Sequence, residues 1–263
     1  MIEILVFIVF GAMTGLIAGL LGIGGGVIAV PVFYFTLGAF DFPQGDLMHV
    51  AVATSLASTV ITAFGASWSH HQKKAVRFDA LKPIALGLFF GCAIGVILTY
   101  CMENDVLRFI FGSAVLPLSL YFFFPKLPSP NFNTKPNWTL TLCSIFVGGI
   151  ATMLGVGGGI FFVPILLGYH LPMNQAIATS SSSTLFSAFF ATCLFLLLES
   201  KQPDLPHTFG YIYIPGFLIL GLSSLLLTPL GAKLAQTLPI GLIKRIFAVA
   251  LAITGITMLI GGS

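Results

Sequence analysis

Gly22-Ile-Gly-Gly-Gly-Val-Ile-Ala-Val-Pro31 returns in the second half of the chain as Gly155-Val-Gly-Gly-Gly-Ile-Phe-Phe-Val-Pro164. With the residues leading in, 15–31 matches 148–164 at 10 of 17 positions without a gap. A glycine inside a helix costs roughly 1 kcal/mol relative to alanine, so the motif predicts a broken helix, made twice. Each copy is followed by a second echo, Ala51-Val-Ala-Thr-Ser55 and Ala176-Ile-Ala-Thr-Ser180, and 51–66 aligns with 176–191 without gaps. The chain reads as two copies of one unit.

The sequence around these motifs is that of a membrane protein. Of 263 residues, 57% are hydrophobic and 7% charged, against about a quarter charged in soluble domains. Uncharged runs at 4–39, 83–102, 139–169 and 176–198 reach or exceed the ~20 residues that cross a bilayer as helix. They do not alternate as barrel strands would. A formal charge of +3 is too small to suggest a nucleic acid partner. The first residues carry Glu3 and no basic residue, and the apolar run continues past any short signal core, so the first helix is expected to remain in the mature protein. Cys92, Cys101, Cys143 and Cys193 stand singly and read as packing residues.

Segments expected at about 4–21, 25–39, 48–68, 81–100 and 106–124 form a first repeat (1–124). A Pro/Asn/Ser-rich linker, 125–137, leads to a second (138–263), with one segment ending at Leu154 and others at about 157–169, 174–198, 208–229 and 240–260. The 13 residues of 157–169 make roughly 20 Å of helix against a ~30 Å core, too short to span alone. Five segments per repeat is odd, so the second copy enters from the opposite side. The expected fold is an all-α polytopic membrane protein of two inverted repeats with glycine-broken half-helices, making between six and ten full crossings. Charge orients it. Lys73, Lys74, Arg77, Lys82, Lys126, Lys135, Lys233, Lys244 and Arg245 fall on one side and only Arg108 and Lys201 on the other, nine against two. The positive-inside rule makes the first side, and the linker with it, cytoplasmic. Asn137-Trp-Thr139 fits a glycosylation sequon but lies on that side and is read as unmodified.

Broken helices expose backbone N–H groups, tolerated at membrane depth only against protein or a watery cavity. Gly24, Gly25 and Gly26, with Gly157, Gly158 and Gly159, would open half-helices whose N-termini present donors and partial positive charge to an anion. Thr54, Ser55 and Ser58, with Thr179, Ser180 and Ser183, would supply hydroxyls nearby, while Gly22, Pro31, Gly155 and Pro164 shape the break. The competing reading, that the glycines only let helices pack closely, is weakened because the motif occurs at matching places in both halves. Leucine at Gly25 or Gly158 is expected to abolish anion binding. Ser181 and Ser182 read as helix contacts, and His70 and His71 as solvated. His49 is a candidate for substrate or proton handling and His170 a weaker one. No carboxylate lies well inside a segment, which argues against a carboxylate proton relay. Neither a dinucleotide fingerprint nor a P-loop is present, since Val27 stands where a third glycine would be and no Gly-Lys-Ser/Thr occurs. No cofactor or metal site is expected.

The doubled G-[IV]-G-G-G-x-x-x-V-P box, the Ala-Thr-Ser after each, and halves of similar length resemble the TauE/SafE family of membrane transporters, the sulfite exporter family. The resemblance covers essentially the whole chain. It implies transport of sulfur-containing anions such as sulfite, sulfonates or thiosulfate, with the glycine boxes and Thr-Ser elements near the substrate. The second half departs in carrying Asn174 where the first has His49. The reading is therefore a secondary transporter of a small anion in the inner or plasma membrane, working by alternating access. The partners are substrate and bilayer, and oligomeric state is not readable. The rivals are a channel-like uniporter, a non-transporting assembly factor and, third, a membrane enzyme, for which no nucleophile, metal site or acid–base pair is visible. Without buried carboxylates to couple an ion, potential-driven efflux is the expected direction.

Overall fold

The computed structural model describes residues 2–40, 42–72, 75–124, 138–198, 205–234 and 240–261. The linker at 125–137, Asp41, Lys73, Lys74, Lys126, Lys135, Asn137 and Lys201 lie outside them. The described chain is helical apart from one small hairpin. In order it forms α1 (Ile2–Leu21), α2 (Gly26–Ala39), a 3-10 turn (Gln44–Asp46), α3 (Leu47–His71), α4 (Phe78–Cys101) and α5 (Asn104–Phe123). The second half continues with α6 (Trp138–Met153), α7 (Gly159–Gly168), α8 (Met173–Leu197), β1 (Thr208–Phe209), β2 (Ile212–Tyr213), α9 (Ile214–Leu234) and α10 (Ile240–Ile260). Among the described residues six stretches are long and apolar enough to cross a membrane: α1, the 3-10 turn with α3, α4, α5, α8 and α9. Helices α2, α6 and α7 are shorter, as the glycine breaks require. The hairpin is a departure from the sequence reading, which placed a helical segment from 208. Thr208 pairs with Tyr213 and Phe209 with Ile212 around Gly210 at φ +57°. Tyr213 Oη then donates to Glu3 at 2.7 Å, tying the hairpin to the start of α1. Burial and the Glu3 carboxylate push that phenol above its ordinary range.

Small residues set the helix pairs. Gly11, Gly15 and Gly19 form a stripe on α1, where a methyl group would strike Leu220, Ser224 and Thr228 of α9 in turn. Gly87, Gly91 and Gly95 do the same on α4 against Thr141, Ile145 and Gly149 of α6. Residue numbers rise together in both pairs, so α1 runs parallel to α9, and α4 to α6. Backbones approach this closely only where side chains are missing, as membrane helices do in the absence of a hydrophobic drive between them. Helices α5 and α10 pack antiparallel, Gly112 meeting Gly255 and Phe122 meeting Phe247. Helices α3 and α8 make the centre, and of the six spanning stretches that of α3 is by far the most buried. Outward-facing Leu86, Phe89, Phe90, Ile94 and Ile97 on α4 are exposed, as a lipid-facing surface should be. The two ends differ in charge: Glu3, Asp46, Glu103 and Asp105 lie at one, and Arg77, Lys82, Lys233 and Arg245 at the other.

Candidate functional site

The backbone at the two breaks adopts one conformation twice. Gly22, Gly24 and Gly25 have φ of +69°, +80° and +77°, and Gly155, Gly157 and Gly158 have +66°, +67° and +86°. Residues with a Cβ avoid this region, which accounts for the G-x-G-G spacing. The next glycine is needed for another reason. A methyl group on Gly26 would overlap the carbonyl oxygen of Gly155, and one on Gly159 that of Gly22. The breaks of the two halves are therefore packed directly on each other, and Gly22 to Gly26 and Gly155 to Gly159 are all buried. Helices α2 and α7 start there, with Gly25 and Gly158 as N-caps and no side-chain cap. Pro31 and Pro164 each stand sixth in these helices, removing the N–H that would bond back to Val27 or Ile160.

The serines of the Ala-Thr-Ser elements cross between halves. Ser55 Oγ lies 2.9 Å from the Gly155 carbonyl and 3.2 Å from that of Gly26. Ser180 Oγ lies 2.8 Å from the Gly159 carbonyl and 3.4 Å from that of Gly22. Each serine thus ties its own half's break to the other's. The threonines before them do something else. Thr54 Oγ1 accepts from Tyr213 N at 3.0 Å and Thr179 Oγ1 from Arg77 N at 3.0 Å. These are the residues just before α9 and α4, so the pair anchors the loops at opposite ends of the molecule. Ser58 and Ser183 donate to Thr54 and Thr179 carbonyls one turn back, 2.9 Å each.

Two central residues were missed from sequence. A methyl group on Gly24 would meet Thr184 Cγ2 at 2.5 Å and Thr59 Cγ2 at 3.1 Å; one on Gly157 would meet the same atoms at 3.0 and 3.4 Å. Thr59 and Thr184 are buried and flank both breaks. They occupy the same place in the gapless alignment, one turn beyond Ser55 and Ser180, which was the available signal. Ser187 adds a bond to the Gly157 carbonyl. Among the described residues the cluster thus contains peptide groups and hydroxyls, and no charged side chain.

The histidines lie elsewhere. His49 is buried at the acidic end, its Nε2 3.0 Å from the Thr99 carbonyl and 3.2 Å from that of Met102, its Nδ1 3.9 Å from Asp46 Oδ1, and its ring against Tyr211. Two carbonyl acceptors require Nε2 to carry a proton. His49 fastens α3 to the end of α4 and is not grouped with the glycines. Asn174, its counterpart, is exposed and bonds its own neighbour Gln175. His170 is exposed, at φ +60°. His70 is buried at the end of α3, a correction to the solvated reading, whereas His71 is exposed. Arg77 holds Asp79 at 2.6 Å and reaches Gln175 at 3.3 Å, and the Asp79 bond raises its guanidinium pKa above the ordinary value. Among the described residues no group of three or more His, Cys, Asp or Glu is placed to hold a metal.

Positive φ at Gly25 and Gly158 also removes the force of the leucine substitution. Leucine there would strain the backbone whether or not an anion binds.

The sulfite exporter TauE/SafE family profile matches residues 7–258. A probable membrane transporter protein of Haemophilus influenzae is 30% identical over 261 residues, 97% of each chain. One from Methanocaldococcus jannaschii is 25% identical, covering 96% of this chain and 94% of its own. Another from Bacillus subtilis is 22% identical over 68% of this chain and 72% of its own. No solved structure matches.

Proposed function

Because the chain belongs to the sulfite exporter TauE/SafE family, a family of multi-pass membrane transporters, we propose that its cargo is a small anion. A sulfur-containing oxyanion or organosulfonate is the class favoured, carried across the inner or plasma membrane by alternating access. The observation that carries this reading is the crossed break: two helix N-termini without side-chain caps, buried side by side in a cluster with no charged side chain. Each N-terminus is worth about half a positive charge and presents N–H donors. Thr59 and Thr184 add hydroxyls between them. The two breaks touch in this conformation, so an anion enters only when they part. Parting at one end would break the Ser55 bond to Gly155 or the Ser180 bond to Gly22. The reciprocal packing of α1 on α9 and α4 on α6 supports two inverted halves that move against each other.

Efflux is the proposed direction. A dianion leaving a cell gains roughly 4.6 kcal/mol per 100 mV, more than a thousandfold in gradient, without a coupling ion. The test is flux of radiolabelled sulfite from proteoliposomes at clamped potential. Efflux should accelerate when the loaded compartment is negative, show counterflow as a carrier does, and fall about tenfold in Thr59→Val/Thr184→Val, the loss of about 1.4 kcal/mol of hydroxyl bonding. Absence of flux for sulfite, thiosulfate and a sulfonate alike would sink the reading. Flux without counterflow would leave a channel.

A further inference from the structure

A second polar site lies at the acidic end, away from the glycine breaks. Arg108 stands on the second turn of α5, its side chain 12% exposed. A buried guanidinium needs its charge and its five N–H donors satisfied. Here one nitrogen, Nη2, lies 3.6 Å from Asp105 Oδ1, and that carboxylate is 81% exposed, its charge spent largely on solvent. Nε and Nη1 are buried without a hydrogen-bond partner. Arg245, which opens α10 much as Arg108 opens α5, is instead exposed. The burial of Arg108 is thus not a property of the repeat but of this end of the molecule.

Arg108 lines a cavity of about 390 Å³ with Tyr34, Gln44, Asn104, Asp105 and Gly261. At about 30 Å³ per water, that is room for roughly a dozen waters. Gln44, Asp105 and Gly261 are exposed, so the cavity opens to solvent. Asn104 Oδ1 accepts from Met48 N at 2.6 Å, which fixes the amide and makes its NH2 the end that can serve a ligand as donor. The N-terminus of α5 begins at Asn104 and adds partial positive charge. Asp105 is the only acid among the described residues of the lining.

We infer that this cavity is a separate anion site, in which a small oxyanion replaces Asp105 as the counter-ion of Arg108. The acidic surroundings, Asp46 and Glu103 among them, make it a weak site for passage rather than storage. It stands independently of what the glycine breaks carry.

Sulfate is the probe, read by thermal unfolding of the detergent-solubilised full chain against chloride of equal ionic strength, since a ligand raises stability as its concentration exceeds its Kd. Sulfate should raise the melting temperature of the wild type. Arg108→Gln should weaken the apparent affinity about tenfold, the loss of one charge-assisted pair. Asp105→Asn should act oppositely: without sulfate it melts earlier, and it binds sulfate several-fold more tightly because the competing carboxylate is gone. A purely structural Arg108–Asp105 pair gives no such tightening. Thr59→Val/Thr184→Val should keep the sulfate shift. The inference is overturned if the wild type shows no shift up to saturating sulfate, if Arg108→Gln leaves it unchanged, or if Asp105→Asn weakens it. It is also overturned if only the threonine variant loses it, an outcome that would place sulfate at the breaks and leave the proposed function standing. Should Arg108→Gln fail to fold, Arg108→Lys, which keeps the charge without the planar fork, and Asp105→Asn decide the matter.

Discussion

Each glycine of the doubled box is held by a separate constraint. Gly22 and Gly155 need positive φ and also face Ile177 of α8 and Val30 of α2, respectively. Alanine at Gly22 should therefore cost at least the 1–2 kcal/mol of a left-handed residue, plus the overlap, and we expect it to lower the melting temperature sharply or prevent folding. A Cβ added to Gly241 on α10 would meet nothing within 4 Å among the described residues; alanine there should raise stability by up to about 1 kcal/mol, which the same melting experiment reads. The box was legible in sequence because these left-handed angles strongly favour glycine, and the angles recur. Thr59 and Thr184 were not, because one more threonine in an apolar helix looks like any other until the opposing break is seen against it. Thr54 and Thr179 stood out by their repetition, yet their partners are the backbone N–H groups of Tyr213 and Arg77, far away in sequence.

Elements are joined here by bonds that cross between the halves. Replacing Ser55 by alanine removes the hydroxyl donor shared by the Gly155 and Gly26 carbonyls, and should cost about 1–2 kcal/mol. Ser180→Ala should cost a similar amount. Because both serines hold one pair of breaks, the double variant should depart from additivity, a coupling that a double-mutant cycle on unfolding free energies measures. Tyr213→Phe should loosen the hairpin from α1 by about 1 kcal/mol and speed hydrogen exchange at Thr208–Tyr213. The helices themselves were plain from long uncharged runs, most ends falling within a few residues. The hairpin was not: Tyr211, Ile212 and Tyr213 run straight into the apolar face of α9, and only Gly210 marks the turn.

The whole molecule has an acidic end and a basic end. Cysteines placed at Glu103 and His71, both exposed, report on opposite ends. In a background lacking the native cysteines, an impermeant reagent should label the Glu103 position in intact cells and spare His71; the reverse pattern would invert the orientation. The halves on either side of 125–137 also depend on each other. Neither completes its own break: Ser55 needs Gly155, Ser180 needs Gly22, and each glycine stripe is filled by a helix of the other half. Cut within that linker and co-expressed, the two pieces should recover one complex that transports, while either alone should be degraded. If the two halves are inverted copies, as proposed above, the chain is in genealogical terms an antiparallel dimer fused end to end. A half-length forebear inserting in both orientations would then close the same lock with a copy of itself, and fusion would free each copy to diverge, which is how Arg108 and Arg245, or His49 and Asn174, would come to differ.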